Sequence, residues 1–519
     1  MNKTKLIFAA ALLFTASCAN EDVNKDNGNP NNQGMTTFVS GDEPATRTSM
    51  DHTAGGKGKF FWTTGDNIWI DNAGTPESNT SSSITGKTDY AKFYFASTLT
   101  GTSYPVTYTG KGSTKSNEVT IAASQTQSAP NNTDHFATSG DCGTATATGS
   151  GNEFVFKLKH QTAYLCILPR CENVALGKNV YLTKIVITSD NDIAGTYTLS
   201  NTGLSPKSGG TKTITLTTQG AGTDPGFKMT NTTANITLNG AYMVIAPGHH
   251  TLTIDCYIKD PMTNVEGPIS QTVSTTFHAN TITDITANLT PTIYPGNKYY
   301  MWDAADGQHY WKGHEWNKTG YVAGVDQPAV TGTTGSAYPQ NNSDPRWFHE
   351  GSGAFQATQS CKDLPNANEL SWYVVYGDPR WDADKLWTTM DHLYKGGMWF
   401  RKKSALIADG HYNTEKSADG STDMRTTFKY YSNNNASITS GLPSAADAGK
   451  YFYLPALGIQ YLDLLFQVGD FGHYWSSSAC PDDSNRAYSL SLYSSCVYVD
   501  NGDRNHGIIA QPFSDFGDN

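Results

Sequence analysis

Between residues 154 and 259 the chain repeats one pattern, short runs in which apolar and polar side chains alternate. "FVFKLKHQTAYLCIL" (Phe154 to Leu168), "VYLTKIVIT" (Val180 to Thr188), "KTITLTT" (Lys212 to Thr218), "AYMVIAP" (Ala241 to Pro247) and "TLTIDCYIK" (Thr251 to Lys259) all show it. Successive side chains of a strand point to opposite faces, so a period of two fits half-buried β-structure and not an amphipathic helix. Turns rich in Gly, Asn and Pro separate the runs at short spacing, as in β-sandwiches. "FFWTTGDNIWID" (Phe60 to Asp71) alternates in the same way about a Gly-Asp turn. No long segment of helical period precedes residue 290.

Composition agrees. Only 16% of residues are charged, while small polar and β-branched residues abound, which suits strands and tight turns. The net charge of −11, from 36 Lys+Arg against 47 Asp+Glu, opposes nucleic-acid binding, for which a basic face is needed. A length of 519 residues gives room for roughly three domains of about 150 residues each.

The first residues read as an export signal. Lys3 and Lys5 form a basic start, and the apolar stretch Leu6 to Phe14 is too short to span a bilayer. It ends in "TASC", small residues before Cys18, the pattern cut by lipoprotein signal peptidase, although Thr15 stands where Leu is usual. Residues 1–17 are therefore expected to be a lipoprotein signal peptide, with lipid on Cys18. The alternative is an ordinary secretory signal with an incidental cysteine. Glu21 and Asp22 resemble the surface-export signal of Bacteroidota lipoproteins. Residues 19–46, mostly Asn, Asp, Gly, Pro and Thr, are expected to form a flexible tether that buries no core.

Seven cysteines remain besides Cys18, an odd number, so at least one thiol is unpaired within the chain. Cys480 and Cys496 flank a predicted strand and are the first candidates for a disulfide; Cys166 and Cys171 are the second. No C-x-x-C spacing occurs, and no metal site is expected.

"NLTPTIYPG" (Asn288 to Gly296), punctuated by Pro291 and Pro295, marks a boundary, and nine of the eleven tryptophans lie beyond it. This second half is aromatic and loop-rich. A helix is predicted over "NANELSWYVVYG" (Asn366 to Gly377), with Asn366 as N-cap and Glu369 three residues on.

The first half resembles the fimbrillin family of Bacteroidales pili. The likeness rests on "ATRTSMD" before "FFWTTGDNIWI", on Phe156, His160, Ala163 and Leu165 in "FVFKLKHQTAYLCI", on "ITSDNDIAGTYTL" (Ile187 to Leu199), on "YMVIAPGHHTLTIDCYI", and on "FHANTITDITANL" (Phe277 to Leu289). It implies a mainly-β fold with two tandem transthyretin-like β-sandwiches, expected at 48–172 and 173–291. His160 is read as a core or interface residue.

The tail, expected as one domain at 295–519, resembles the Fibrobacter major paralogous domain, an α+β module with a C-type-lectin-like fold. "DLPNANELSWYVVYG", "YFYLPALG" (Tyr451 to Gly458) and the run from Gly472 to Phe513 carry the likeness. The candidates for contact with a surface ligand are Trp475 and the acidic turns holding Asp482, Asp483, Asp500 and Asp503. The same acids are read in the first place as ordinary turn chemistry. Calcium needs six to eight clustered oxygens, and Ser476 stands where the true calcium lectins have Asn. No catalytic motif appears, no enzyme activity is expected, and no cofactor is implied.

Arg47 gains a meaning from this resemblance. Subunits of such pili travel as lipoproteins; an arginine-specific protease then removes the leader with the first strand, and a strand of another subunit fills the groove. Cleavage is expected between Arg47 and Thr48, making 18–47 a lipidated propeptide; the alternative is that Arg47 is a linker charge flanking the first strand and is never cut. The chain is then an exported outer-membrane lipoprotein precursor, held to the membrane by lipid on Cys18 before processing. Its partners are other fimbrial subunits and an unidentified surface ligand, carbohydrate among the options. With a domain where a donor strand would be, the implied role is a tip subunit exposing a lectin-like module for adhesion or biofilm formation. The alternative is a surface lipoprotein that binds glycans and never polymerises.

Overall fold

The computed structural model describes residues 32, 34–40, 49–56, 58–351 and 355–518. Cys18, Arg47 and Thr48 lie outside the described residues. The fold is mainly β, 43% strand and 8% helix. The alternation becomes burial directly: along the strand Gly248–Asp260, His250, Leu252, Ile254, Cys256, Ile258 and Asp260 are buried while the residues between them are not. Its hairpin partner is Val265–Phe277.

The first unit is built on one nine-stranded sheet. Its order is Thr75–Ser78, Trp69–Asn72, Ser103–Tyr108, Gly143–Ser150, Glu153–Phe156, Thr36–Ser40, Lys92–Phe95 and Ser81–Ser82, with Lys159–His160 beside Gly143–Ser150. Phe38, Trp62, Ile70, Phe93, Phe95, Val106, Tyr108, Phe154 and Phe156 form its core. The Trp-x-x-Gly-Asp element is a turn: Gly65 takes φ +93°, and buried Asp66 accepts from the Thr63 amide at 2.7 Å and from the Tyr108 hydroxyl at 3.0 Å.

Three sheets share the core of the second unit. One holds Tyr181–Ser189 between Thr213–Thr218 and Gly248–Asp260. The next places Ala163–Arg170 between Ala241–Ile245 and Ile282–Asn288. The last places Ala194–Ser200 between Gly203–Thr211 and Glu118–Ile121.

The boundary expected near residue 172 is not where the sheets divide. Glu118–Ile121 and Ser124–Gln127 pair with strands of the second unit, and Phe136 and Cys142 lie in its core. Residues 143–160 then return to the first sheet, where Gly143–Ser150 pairs with Ser103–Tyr108. Only at Ala163–Arg170 does the chain enter the second unit for good. Long-range pairing decides this, and local pattern does not display it.

The third unit combines two main sheets with the helix Ala367–Tyr376. The predicted capping box is present: the Glu369 amide donates to Asn366 Oδ1 at 3.0 Å, and the Asn366 amide donates to Glu369 Oε2 at 2.8 Å. Trp302, Trp311, Trp387 and Trp475 are fully buried. The hairpin Arg380–Thr389/His392–Arg401 rests on the second unit. Buried Asp260 pairs with His392 at 2.9 Å and accepts the Leu393 amide at 3.1 Å, and Leu386 and Leu393 enter the second unit's core.

The proposed disulfides do not form; the seven described cysteines are free. Cys480 follows the strand Phe471–Ala479, and its amide bonds Arg486 O at 3.0 Å. Cys496 pairs with Tyr493. They therefore sit at opposite ends of the strand Arg486–Tyr493, about 20 Å apart at 3.3 Å per residue, beyond disulfide reach. Cys166 lies within the strand Ala163–Arg170 and Cys171 just beyond its end, each a buried free thiol.

Candidate functional site

The segment expected to be a structureless tether contains a strand. Thr36–Ser40, "TTFVS", is a run of β-branched and aromatic residues in a polar stretch, and that composition favours a pleated, half-buried setting. It was the local signal available to sequence reading, obscured by the Asn and Gly around it. The strand lies inside the nine-stranded sheet, parallel to Glu153–Phe156 and antiparallel to Lys92–Phe95.

Both of its edges are therefore paired. The Thr37 amide donates to Asn152 O at 2.8 Å and the Ser40 amide to Ala91 O at 3.0 Å. The Ala91 amide in turn donates to Ser40 Oγ at 2.9 Å, and Thr36 Oγ1 donates to Ser97 O at 2.9 Å. Phe38 is the anchor. It is fully buried, stacked on Phe154 at 5.1 Å and edge-on to Phe95 at 5.0 Å, with Tyr104 at 6.2 Å. Burial of one such ring contributes about 1.5–3 kcal/mol.

Removing this strand would open a slot with a defined chemistry. Its floor would be Phe93, Phe95, Tyr104 and Phe154, and its walls two strands with unpaired amides and carbonyls. Such a slot accepts any extended segment with a large apolar residue in the right register, because backbone pairing is indifferent to sequence.

Trp475 does not offer a face to a ligand. It is 1% exposed and its Nε1 donates to Tyr300 O at 2.8 Å, so it belongs to the core. Asp483 and Asp503 pair with the same cation, Arg486, at 3.5 and 3.1 Å. Asp482 accepts from the Cys480 thiol at 2.9 Å, and Asp500 accepts the Asn501 amide at 2.8 Å. Asp482 and Asp483 lie in the connection between two strands, but Asp500 and Asp503 lie within the strand Cys496–Asp503 and not in the expected turn; the four do not converge as a set of cation ligands among the described residues. Nearby, the Arg504 guanidinium is buried between Trp302 and Phe355, 4.6 and 5.0 Å from the ring centres.

His160 is a core residue. Its Nδ1 meets Asp141 Oδ1 at 2.6 Å, and the Tyr164 hydroxyl donates to the same oxygen at 2.5 Å. Burial, reinforced by the Asp141 carboxylate, pushes the Tyr164 hydroxyl well above its ordinary range.

No family model matches the chain, and no curated protein matches it. Among solved structures, a "putative cell adhesion protein" from Bacteroides ovatus aligns at 12% identity over 49% of this chain and 91% of its own, with a TM-score of 0.31. One so described from Bacteroides uniformis aligns at 14% identity over 49% and 93%, with a TM-score of 0.29. A fimbrial protein from Bacteroides ovatus aligns at 10% identity over 87% and 93%, with a TM-score of 0.23. Superpositions this loose assign neither fold family nor role.

Proposed function

We propose that the chain is a fimbrial adhesion subunit that matures by losing its first strand. The observation that carries this reading is the place of Thr36–Ser40: upstream of Arg47 in sequence, yet inside the first sheet with both edges paired. Cleavage between Arg47 and Thr48 would sever that strand from the rest of the chain. Another subunit's strand would then take its place beside Glu153–Phe156 and Lys92–Phe95. Lipid on Cys18 would hold the precursor at the outer membrane until then.

A terminal place in the filament is the second part of the reading. The last described strand, Ile508–Ile509, is paired within the third unit, and Asp518 accepts the Lys403 amide at 2.5 Å. A segment fastened in this way is not available to a neighbour. The subunit would accept a strand without lending one from this end, and the third unit, read as lectin-like, would face outward to a surface ligand.

The test is intact mass and N-terminal sequencing of the protein recovered from surface filaments, with wild-type chain and Arg47→Ala. The expected start is Thr48 in wild type, with Arg47→Ala retained as precursor and absent from filaments. A wild-type chain beginning at acylated Cys18 would overturn strand exchange and favour the surface lipoprotein that never polymerises.

A further inference from the structure

The segment just after the proposed cleavage site brings a histidine onto the second unit. His52, five residues beyond Arg47, lies against the three-stranded sheet at one particular row. Cys166, in the central strand Ala163–Arg170, is in register with Tyr242 on one side and Asp284 on the other. Side chains in register on adjacent strands share a face and stand about 5 Å apart. His52, Cys166 and Asp284 thus converge, with a nitrogen, a sulfur and a carboxylate oxygen all within 4.8 Å of one another.

Two atoms in this cluster lack hydrogen-bond partners: His52 Nε2 and Asp284 Oδ1, which face each other at 3.6 Å. Orphaned buried polar atoms are costly, and here both point at one spot. The surrounding contacts fix them there. The Tyr242 hydroxyl lies 3.3 Å from His52 Nδ1, and the Gly55 amide donates to Asp284 Oδ2 at 2.6 Å.

We propose that His52, Cys166 and Asp284 bind a divalent cation of the zinc class, with water as fourth ligand. One imidazole, one thiolate and one carboxylate are a donor set suited to zinc. Tetrahedral ligands at about 2.0–2.3 Å from such an ion stand roughly 3.5 Å apart, so small side-chain rotations close the site. Asp284 keeps 20% of its side chain exposed, which gives the ion an entry path.

The same trio does not make a nucleophile and base. Cys166 is fully buried, so its thiol is closed to an approaching substrate. His52 also turns Nε2 toward Asp284 and Nδ1 toward Tyr242, leaving no relay from carboxylate through imidazole to thiol. Burial, then the Asp284 carboxylate, push the Cys166 thiol far above its usual range; a bound cation reverses that preference by taking the thiolate as ligand.

A metal here would staple the start of the chain beyond Arg47 to the second unit. Its value in holding a processed N-terminus depends on the maturation reading; the site itself does not. The experiment is a cobalt(II) titration of the purified, reduced protein, followed by displacement with zinc. One equivalent of cobalt is expected to bind with a thiolate-to-cobalt charge-transfer band, and zinc should abolish that band. Cys166→Ser should lose the band, and Asp284→Asn, at a partly exposed position, should weaken affinity by at least about tenfold. Cys496→Ser should change neither. Absence of a saturable band in wild type, its persistence in Cys166→Ser, or unchanged affinity in Asp284→Asn would overturn the proposal.

Discussion

Two strands near opposite ends of the described chain are each laid into a sheet beside a parallel neighbour, yet they are held differently. Thr36–Ser40 runs parallel to Glu153–Phe156 and is secured by two backbone ladders, one buried ring and two hydroxyl bonds to neighbouring backbone. Ile508–Ile509 meets Tyr474 in parallel and Tyr299–Tyr300 in antiparallel pairing, and the residues after it are fastened by side chains. Phe513 packs on Tyr373, Phe452 and Tyr474 with ring centres 5.5, 5.6 and 6.1 Å away. Asp518 accepts from the Tyr373 hydroxyl and the Lys403 amide. A ladder with one anchor can be refilled by a different segment of similar pattern. A fastening of specific side chains cannot.

The largest expected effect comes from removing each strand. A chain beginning at Thr48 should lose cooperative unfolding of the first unit, and a synthetic peptide spanning Thr36–Ser40 should restore it in trans. A chain lacking 508–518 should lose the third unit's near-ultraviolet tryptophan signal, and the missing peptide should not restore it. Equal rescue of both would erase the distinction.

Smaller changes sharpen it. Phe38→Ala should destabilise the first unit by about 3–5 kcal/mol in denaturant unfolding, leaving the third unit's transition in place. Tyr373→Phe removes the hydroxyl donated to Asp518 and should cost the third unit about 1.5–3 kcal/mol. Mild acid should act on the third unit through His473, which lies between Phe471 and Trp475 with ring centres 5.1 and 6.2 Å away. Burial lowers its pKa from 6.5 to about 3, so folding favours the neutral ring. That stability is complete above pH 6.5 and is lost as pH falls toward 3. At pH 5 the loss should be about 2 kcal/mol, and His473→Gln should flatten the pH profile. Least affected should be Val155→Thr, beside the first strand but 48% exposed, within about 0.5 kcal/mol.

Local pattern revealed much of this molecule. Alternation marked the strands of the second unit, and Asn366 with Glu369 marked the start of a helix, because strand faces and capping boxes are written within a few residues. What failed depended on distant partners. Residues 118–127 carry no sign that they pair across to the second unit. Cys480 and Cys496 are close in sequence, but an intervening strand separates them. Trp475 gave no hint of whether it would face core or solvent. Thr36–Ser40 was concealed by its polar neighbours, and His52, Cys166 and Asp284 by more than a hundred residues between each pair.

The path of the chain through the first two units has a mechanical consequence. After residue 108 the backbone leaves the first sheet, returns at 143 and leaves again beyond 160. Two beads on a single string would part at the string when pulled. Here tension entering through the first sheet divides among several covalent crossings, as in a rope splice, and the two units should yield together in a single high-force event. In the filament proposed above, such a joint would make the exchanged strand, and not the body of the subunit, the weakest point.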